Sequence, residues 1–277
     1  MKRALRKFTQ GILKLVRYVT SPLRARPHVI IAGTQKGGTT SLFDYLSQHP
    51  EMAPSFRKEV HFFDGGLNPA VDRYKKGLRW YRANFPLAAA VADKVVYEAS
   101  PLYLFSPVAA PRIQKAFPDT KIIILLRNPV ERAISHYFHQ KRKGRETREA
   151  DEALLDNEDF VRQALESGDF KNYDFIKKSY KARGKYYEQL KRYYELFPSE
   201  QILVLSSEEF FAEPDRVLSE VFRFCGVKED VSIDNTVARN VGVNREAVDP
   251  EVYDYLVDYF ASEKDQVAAL VGRRFNW

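Results

Sequence analysis

The 277-residue chain has a single cysteine, Cys225, so it cannot form an internal disulfide, and a disulfide-stapled secreted scaffold is excluded. A lone thiol points to a reducing compartment, and a cytoplasmic location is expected. No acidic residue precedes Asp44, whereas residues 1–26 carry Lys2, Arg3, Arg6, Lys7, Lys14, Arg17, Arg24 and Arg26. No apolar run in that segment approaches the roughly 20 residues that span a bilayer, and the clean hydrophobic core of a secretory signal is missing. Internal repeats and low-complexity linkers are also lacking.

What residues 1–26 do have is Leu5, Phe8, Ile12, Val16 and Val19 at helical spacing. A basic amphipathic helix of this kind has three fates: peripheral contact with an anionic membrane at its inner face, docking of the apolar stripe on the following domain, or a frayed tail. Residues 27–277 then form one unit. The excess of 44 Lys and Arg over 37 Asp and Glu, a net charge of +7, suits a polyanionic ligand and does not by itself imply nucleic acid, which is not expected as a partner.

The most informative stretch runs from His28-Val29-Ile30-Ile31-Ala32-Gly33 into Thr34-Gln35-Lys36-Gly37-Gly38-Thr39-Thr40-Ser41-Leu42. An apolar strand meets a glycine- and hydroxyl-rich turn that opens a helix. Adjacent glycines let backbone N–H groups converge, and the helix aims its positive end at the same point, so the turn is an anion cradle. Gly33 and Gly38 keep the spacing of a nucleotide-triphosphatase loop, but Thr39 stands where that loop has its lysine. The cation is Lys36, on the approaching limb, which suits a shorter terminal group.

A second block is Lys121-Ile122-Ile123-Ile124-Leu125-Leu126-Arg127-Asn128-Pro129 followed by Val130-Glu131-Arg132-Ala133-Ile134-Ser135. Apolar residues without alternation read as a strand buried on both faces. Arg127 lies where that strand runs out, in the crevice where open α/β sheets bind ligands, and Pro129 starts the next helix. Arg127 can clasp a phosphate bidentately, and Ser135 can add a hydroxyl about two turns on.

These two blocks resemble the sulfotransferases that use 3′-phosphoadenosine 5′-phosphosulfate (PAPS). The resemblance implies that Lys36, Gly37, Gly38, Thr39, Thr40 and Ser41 hold the 5′-phosphosulfate, and Arg127 and Ser135 the 3′-phosphate. It also implies a P-loop-like strand-loop-helix fold. A third block, Phe56-Arg57-Lys58-Glu59-Val60-His61-Phe62-Phe63-Asp64, resembles the glycosaminoglycan-type branch and makes Glu59 the catalytic base. Burial beside Val60, Phe62 and Phe63 is expected to raise the Glu59 pKa, with Lys58 or Lys36 opposing. His61 is the rival base, or else a packed ring behind Glu59. Lys36 would neutralise charge on the departing oxygen, with no metal required.

Val95-Val96-Tyr97-Glu98-Ala99-Ser100-Pro101-Leu102-Tyr103 is similar to the family's second strand, with Ala99 where many members have lysine. In the late cofactor loop the family carries a disulfide and a Lys-Gly-Arg signature; here Arg245, within Asn240–Glu246, is the candidate.

Strand signals near Val29, Val95, Ile123 and Leu203 alternate with helical stretches, so the expected fold is a single α/β domain with a largely parallel sheet covered on both faces. Lys171 to Phe197 reads as one long helix burying its tyrosines and solvating its lysines, and Lys141 to Arg148 as a mobile charged loop. The implied function is transfer of sulfate from PAPS to a hydroxyl, on a carbohydrate or glycolipid. The alternatives are a small-molecule kinase using ATP, which needs a lysine after Gly38, and a non-catalytic basic module for nucleic acid or anionic membrane.

Overall fold

The structure, a computed structural model, describes residues 2–234 and 248–277, with side chains in the N-terminal helix from residue 9 onward. Five parallel strands form one sheet: β1 (Val29–Gly33), β2 (Met52–Pro54), β3 (Val95–Ala99), β4 (Lys121–Leu126) and β5 (Ile202–Ser206), in the order β2-β3-β1-β4-β5. The four sequence-predicted strands are all present. Only β2 was not foreseen, since three residues are too few to show a period. Val95–Ala99 is accordingly the third strand in chain order.

β1 and β4 lie beside each other because every residue of β1 and all but the first of β4 is buried, which only a central position covered on both faces allows. Ile30, Ala32, Ile122 and Ile124 pack with Tyr81, Tyr186, Leu190 and Val267 on one face. Val29, Ile31, Ile123 and Leu125 pack with Leu42, Leu46, Val217 and Val221 on the other. Each fully buried Ile or Leu stabilises by about 1.5–3 kcal/mol, enough for these strands to set the sheet centre whatever the polar loops prefer.

The strand order fixes where a ligand can sit. The chain leaves β1 toward β2 and β3 on one side, and leaves β4 toward β5 on the other. The crevice beyond the carboxyl ends of β1 and β4 is therefore the topological switch point. Both predicted anion blocks end there.

Two expectations are corrected. Lys171 to Phe197 is not one helix but Tyr173–Lys178, a 3-10 turn Ala182–Gly184 and Tyr186–Tyr194. Tyr180, Tyr186 and Tyr193 are buried, as read from the sequence, yet Lys177 and Lys181 are buried as well. The loop from Lys141 to Arg148 is tied down: Arg148 pairs with Glu146 at 2.9 Å and Asp156 at 2.6 Å, and the Lys141 ammonium donates to the Arg148 carbonyl at 2.8 Å. Lys141, Glu146 and Arg148 are partnered, while Arg142, Lys143 and Arg145 are exposed.

Residues Lys2–Val19 form the N-terminal helix. From residue 9 onward it is exposed except at Arg17, whose side chain rests on the domain.

Candidate active site

The turn after β1 is shaped by close approach. A Cβ on Gly37 would lie 2.7 Å from the Leu125 carbonyl oxygen, so only glycine lets the turn pass this near β4. Gly38, at φ 93°, caps the helix Thr39–Leu46 in the left-handed region. The Thr34 amide donates to the Leu125 carbonyl at 2.8 Å, and the Arg127 guanidinium donates to the Lys36 carbonyl at 3.3 Å. The two blocks thus form one corner.

That corner opens on a cleft of about 490 Å³ lined by Lys36, Gly38, Thr39, Thr40, Glu59 and Arg127. Of the other sequence-predicted residues, Gly37, Ser41, His61 and Ser135 are buried behind its wall rather than on it. Arg245 lies outside the described residues. Ser135 falls midway along the helix Pro129–Arg142, whose N-terminus Asn128 caps by accepting from the Val130 and Glu131 amides. The buried Ser135 hydroxyl has no hydrogen-bond partner among the described residues, and neither do two nitrogens of the buried Arg132. Such groups are costly unless a guest satisfies them.

The cleft also holds cations that the sequence reading missed: Lys143, Arg145 and Lys177, together with His139. Arg132, Ser135, His139 and Lys143 recur three or four residues apart, a helix face that the spacing could have revealed. Burial, then Arg142, Arg127 and Lys143, lowers the Lys36 ammonium to about 8. Burial and Arg145 bring Lys177 to about 8, and burial with Lys36 brings His139 to about 4. Crowded cations that shed protons are a site short of negative charge.

The Glu59 loop lines the same cleft. The Glu59 carboxylate, 41 % exposed, accepts from the Lys58 ammonium at 3.0 Å and lies 3.4 Å from His61 Nε2. The buried His61 ring places Nδ1 2.5 Å from Asp64. Burial alone would lower His61, but Asp64 and Glu59 raise it to about 9, so it is an imidazolium at neutral pH. Burial alone would raise Glu59, yet His61 and Lys58 hold it well below the usual carboxylate range. The expected upward shift of Glu59 is therefore reversed, because its nearest neighbours are two cations.

Lys36, Glu59 and His61 have φ of 75°, 64° and 50°, three of the four described non-glycine residues in the left-handed region. Backbone strain of this kind concentrates where a site over-determines its residues. Glu98, fully buried on β3, accepts from Tyr81 at 2.8 Å, Tyr103 at 3.0 Å and Ser100 at 2.8 Å. Ser100 in turn accepts from the His61 amide at 3.0 Å, and Tyr103 from the Phe62 amide at 2.9 Å. The strained loop is thus tied to one internal carboxyl group, whose pKa burial pushes up, as well as to the Ala99 carbonyl, which accepts from the Glu59 amide at 2.8 Å.

The profile described as the sulfotransferase domain matches residues 26–241. The chain belongs to the sulfotransferase family. Among solved structures, a sulfotransferase from Alicyclobacillus acidocaldarius superposes with a TM-score of 0.74 at 34 % identity, covering 91 % of this chain and 98 % of that one. Heparan sulfate glucosamine 3-O-sulfotransferase 5 of Mus musculus is 28 % identical over 91 % of this chain and 74 % of its own length. The membrane-associated sulfotransferase kil1 of Dictyostelium discoideum is 26 % identical over 94 % of this chain and 68 % of its own. This sulfotransferase has the P-loop-like fold of its relatives.

Proposed function

We propose that this sulfotransferase moves the sulfuryl group of PAPS to a hydroxyl of a carbohydrate or glycolipid, with Glu59 as the base. The observation that carries the reading is the single cleft in which Lys36 and Arg127 share a corner and Glu59 stands on the same wall.

The residues present fit the donor. The Gly37–Gly38 turn leaves backbone room that a Cβ would fill, and the Ser135 hydroxyl is an orphaned donor on the helix that follows Arg127. Lys36 and the N-terminus of Thr39–Leu46 would hold the phosphosulfate, and Arg127 with Ser135 the 3′-phosphate. When bound, PAPS supplies a sulfuryl group whose bond to phosphate breaks as the acceptor oxygen bonds to sulfur. Lys36 balances charge on the departing oxygen. Glu59, ionised across the working pH range, takes the acceptor proton, and His61 positions Glu59 rather than competing with it. Lys143, Arg145 and Lys177 add a basic wall suited to an anionic acceptor.

The heparan sulfate relative supports a sugar hydroxyl, and the Dictyostelium relative supports a peripheral membrane seat for residues 1–26. Among the described residues no helix is long and apolar enough to cross a membrane. The test is transfer of radiolabelled sulfate from PAPS to a panel of glycans, glycolipids and tyrosyl peptides. Labelling confined to the peptides, or absent while ATP is consumed, would overturn the reading.

A further inference from the structure

The apolar stripe of the N-terminal helix does not lie on the domain. At about 100° per residue, Ile12, Leu15, Val16 and Val19 share one side, and Arg17 points to roughly the opposite side. Arg17 is the residue that touches the domain, its guanidinium 3.8 Å over the Phe56 ring. The stripe is accordingly turned outward, with Val19 69 % exposed and Leu15 63 % exposed. Docking of this stripe on the domain, one of the three fates read from the sequence, is excluded for residues 9–19.

Exposed apolar side chains also stand on the segments bonded to the end of the helix. Leu23 is 67 % exposed just beyond the helix, and Leu87, also exposed, pairs with Arg24 in an isolated bridge. Arg82 donates to the Pro22 carbonyl at 3.0 Å and belongs to the helix Gly77–Arg82, which carries exposed Leu78. Cations lie near these residues in the sequence: Lys14 and Arg26 beside the helix and Leu23, and Lys75, Lys76 and Arg79 around Leu78. Exposed apolar groups from three segments, flanked by Lys and Arg, complement a surface with an apolar interior and an anionic face.

We propose that this surface seats the β2 edge of the enzyme on an anionic lipid bilayer, with the Glu59 loop facing the headgroups from behind the helix, so that the acceptor hydroxyl is membrane-borne. Phe56, beneath Arg17, is three residues from Glu59, which limits their Cα separation to about 11 Å. The helix, about 10 Å across, lies between Phe56 and the bilayer, so a membrane under the stripe stands within roughly 20 Å of that loop. The assignment of the acceptor rests on Glu59 being the base; the docking does not.

The test is sedimentation of the full chain with phosphatidylcholine vesicles containing about one third phosphatidylserine, against phosphatidylcholine alone. Binding should be salt-sensitive and weaker by roughly tenfold or more for neutral vesicles and for the Ile12→Gln/Val19→Gln variant, whose sites touch no core. Because Cys225 is buried, a label on Arg57→Cys reports one place: spin-labelled lipid should quench it, and should not quench a label on Glu200→Cys beside β5 at the opposite edge. Adenosine 3′,5′-bisphosphate affinity should be unchanged in the helix variant. Loss of nucleotide binding throughout would instead sink the donor assignment. Binding that survives the helix variant, no binding to anionic vesicles, or quenching at residue 200 and not 57 overturns the proposal. So does a dimer in solution that the variant dissolves, which would give the stripe to a second copy.

Discussion

The Arg127 guanidinium donates to the backbone carbonyl of Lys36 at 3.3 Å, across the boundary between β4 and β1. A residue at the end of one strand thereby braces the turn that follows its neighbour. The turn that carries Lys36 and the basic residue at the β4 tip are tied to each other.

Arg127→Ala removes a charged hydrogen-bond donor and should weaken adenosine 3′,5′-bisphosphate by about 1.5–3 kcal/mol, roughly tenfold to a hundredfold, by calorimetry. Ser135→Ala should cost less, about tenfold or under. Unchanged affinity in the arginine variant would remove Arg127 from the site.

Glu59→Gln should lower kcat by about 10²–10⁴-fold while leaving bisphosphate affinity within about twofold. The matching measurement is steady-state transfer beside nucleotide titration. Full turnover in this variant would move the base elsewhere.

His61 is raised from 6.5 to about 9, so the folded state holds this proton more tightly than the unfolded chain. The stabilisation is complete below pH 6.5 and is lost as pH rises through 9. His61→Asn should be less stable than the native protein at pH 6, and the gap in Tm should shrink by pH 9. A gap independent of pH would show that His61 is not charged.

Lys36 and Lys177, each at about 8, regain protons when an anion arrives. Bisphosphate binding at pH 8 should take up about half a proton per lysine, read from calorimetry in buffers of different ionisation enthalpy. At pH 6 the uptake should vanish, since both lysines are already charged. Equal uptake at the two values would assign the protons to other groups.

The sheet, and the meeting of the Lys36 turn with the Arg127 block, were legible because each is written locally. Uninterrupted apolar runs such as Ile122–Leu126 announce buried strands, and the Lys36-Gly37-Gly38 turn needs residues that few other structures need. The pKa of Glu59 was not legible, because it depends on which side of the carboxylate His61 and Lys58 occupy. Lys177 and Lys181 looked like solvated charges on a continuous helix. The interruption at Ala182–Gly184 ends the helical period, and both lysines are buried. Lys143 and Arg145 sat in a stretch that composition alone marks as a loop, whereas the Glu146–Arg148–Asp156 pairing anchors it beside the cleft.

Glu98 never reaches the cleft wall, yet Ser100 and Tyr103 carry its hold to the backbone of His61 and Phe62. Cleft lining and loop position therefore draw on different residues. Trimming the carboxyl at position 98 would loosen that loop, and Glu59 with it, although no cleft-lining side chain had been changed.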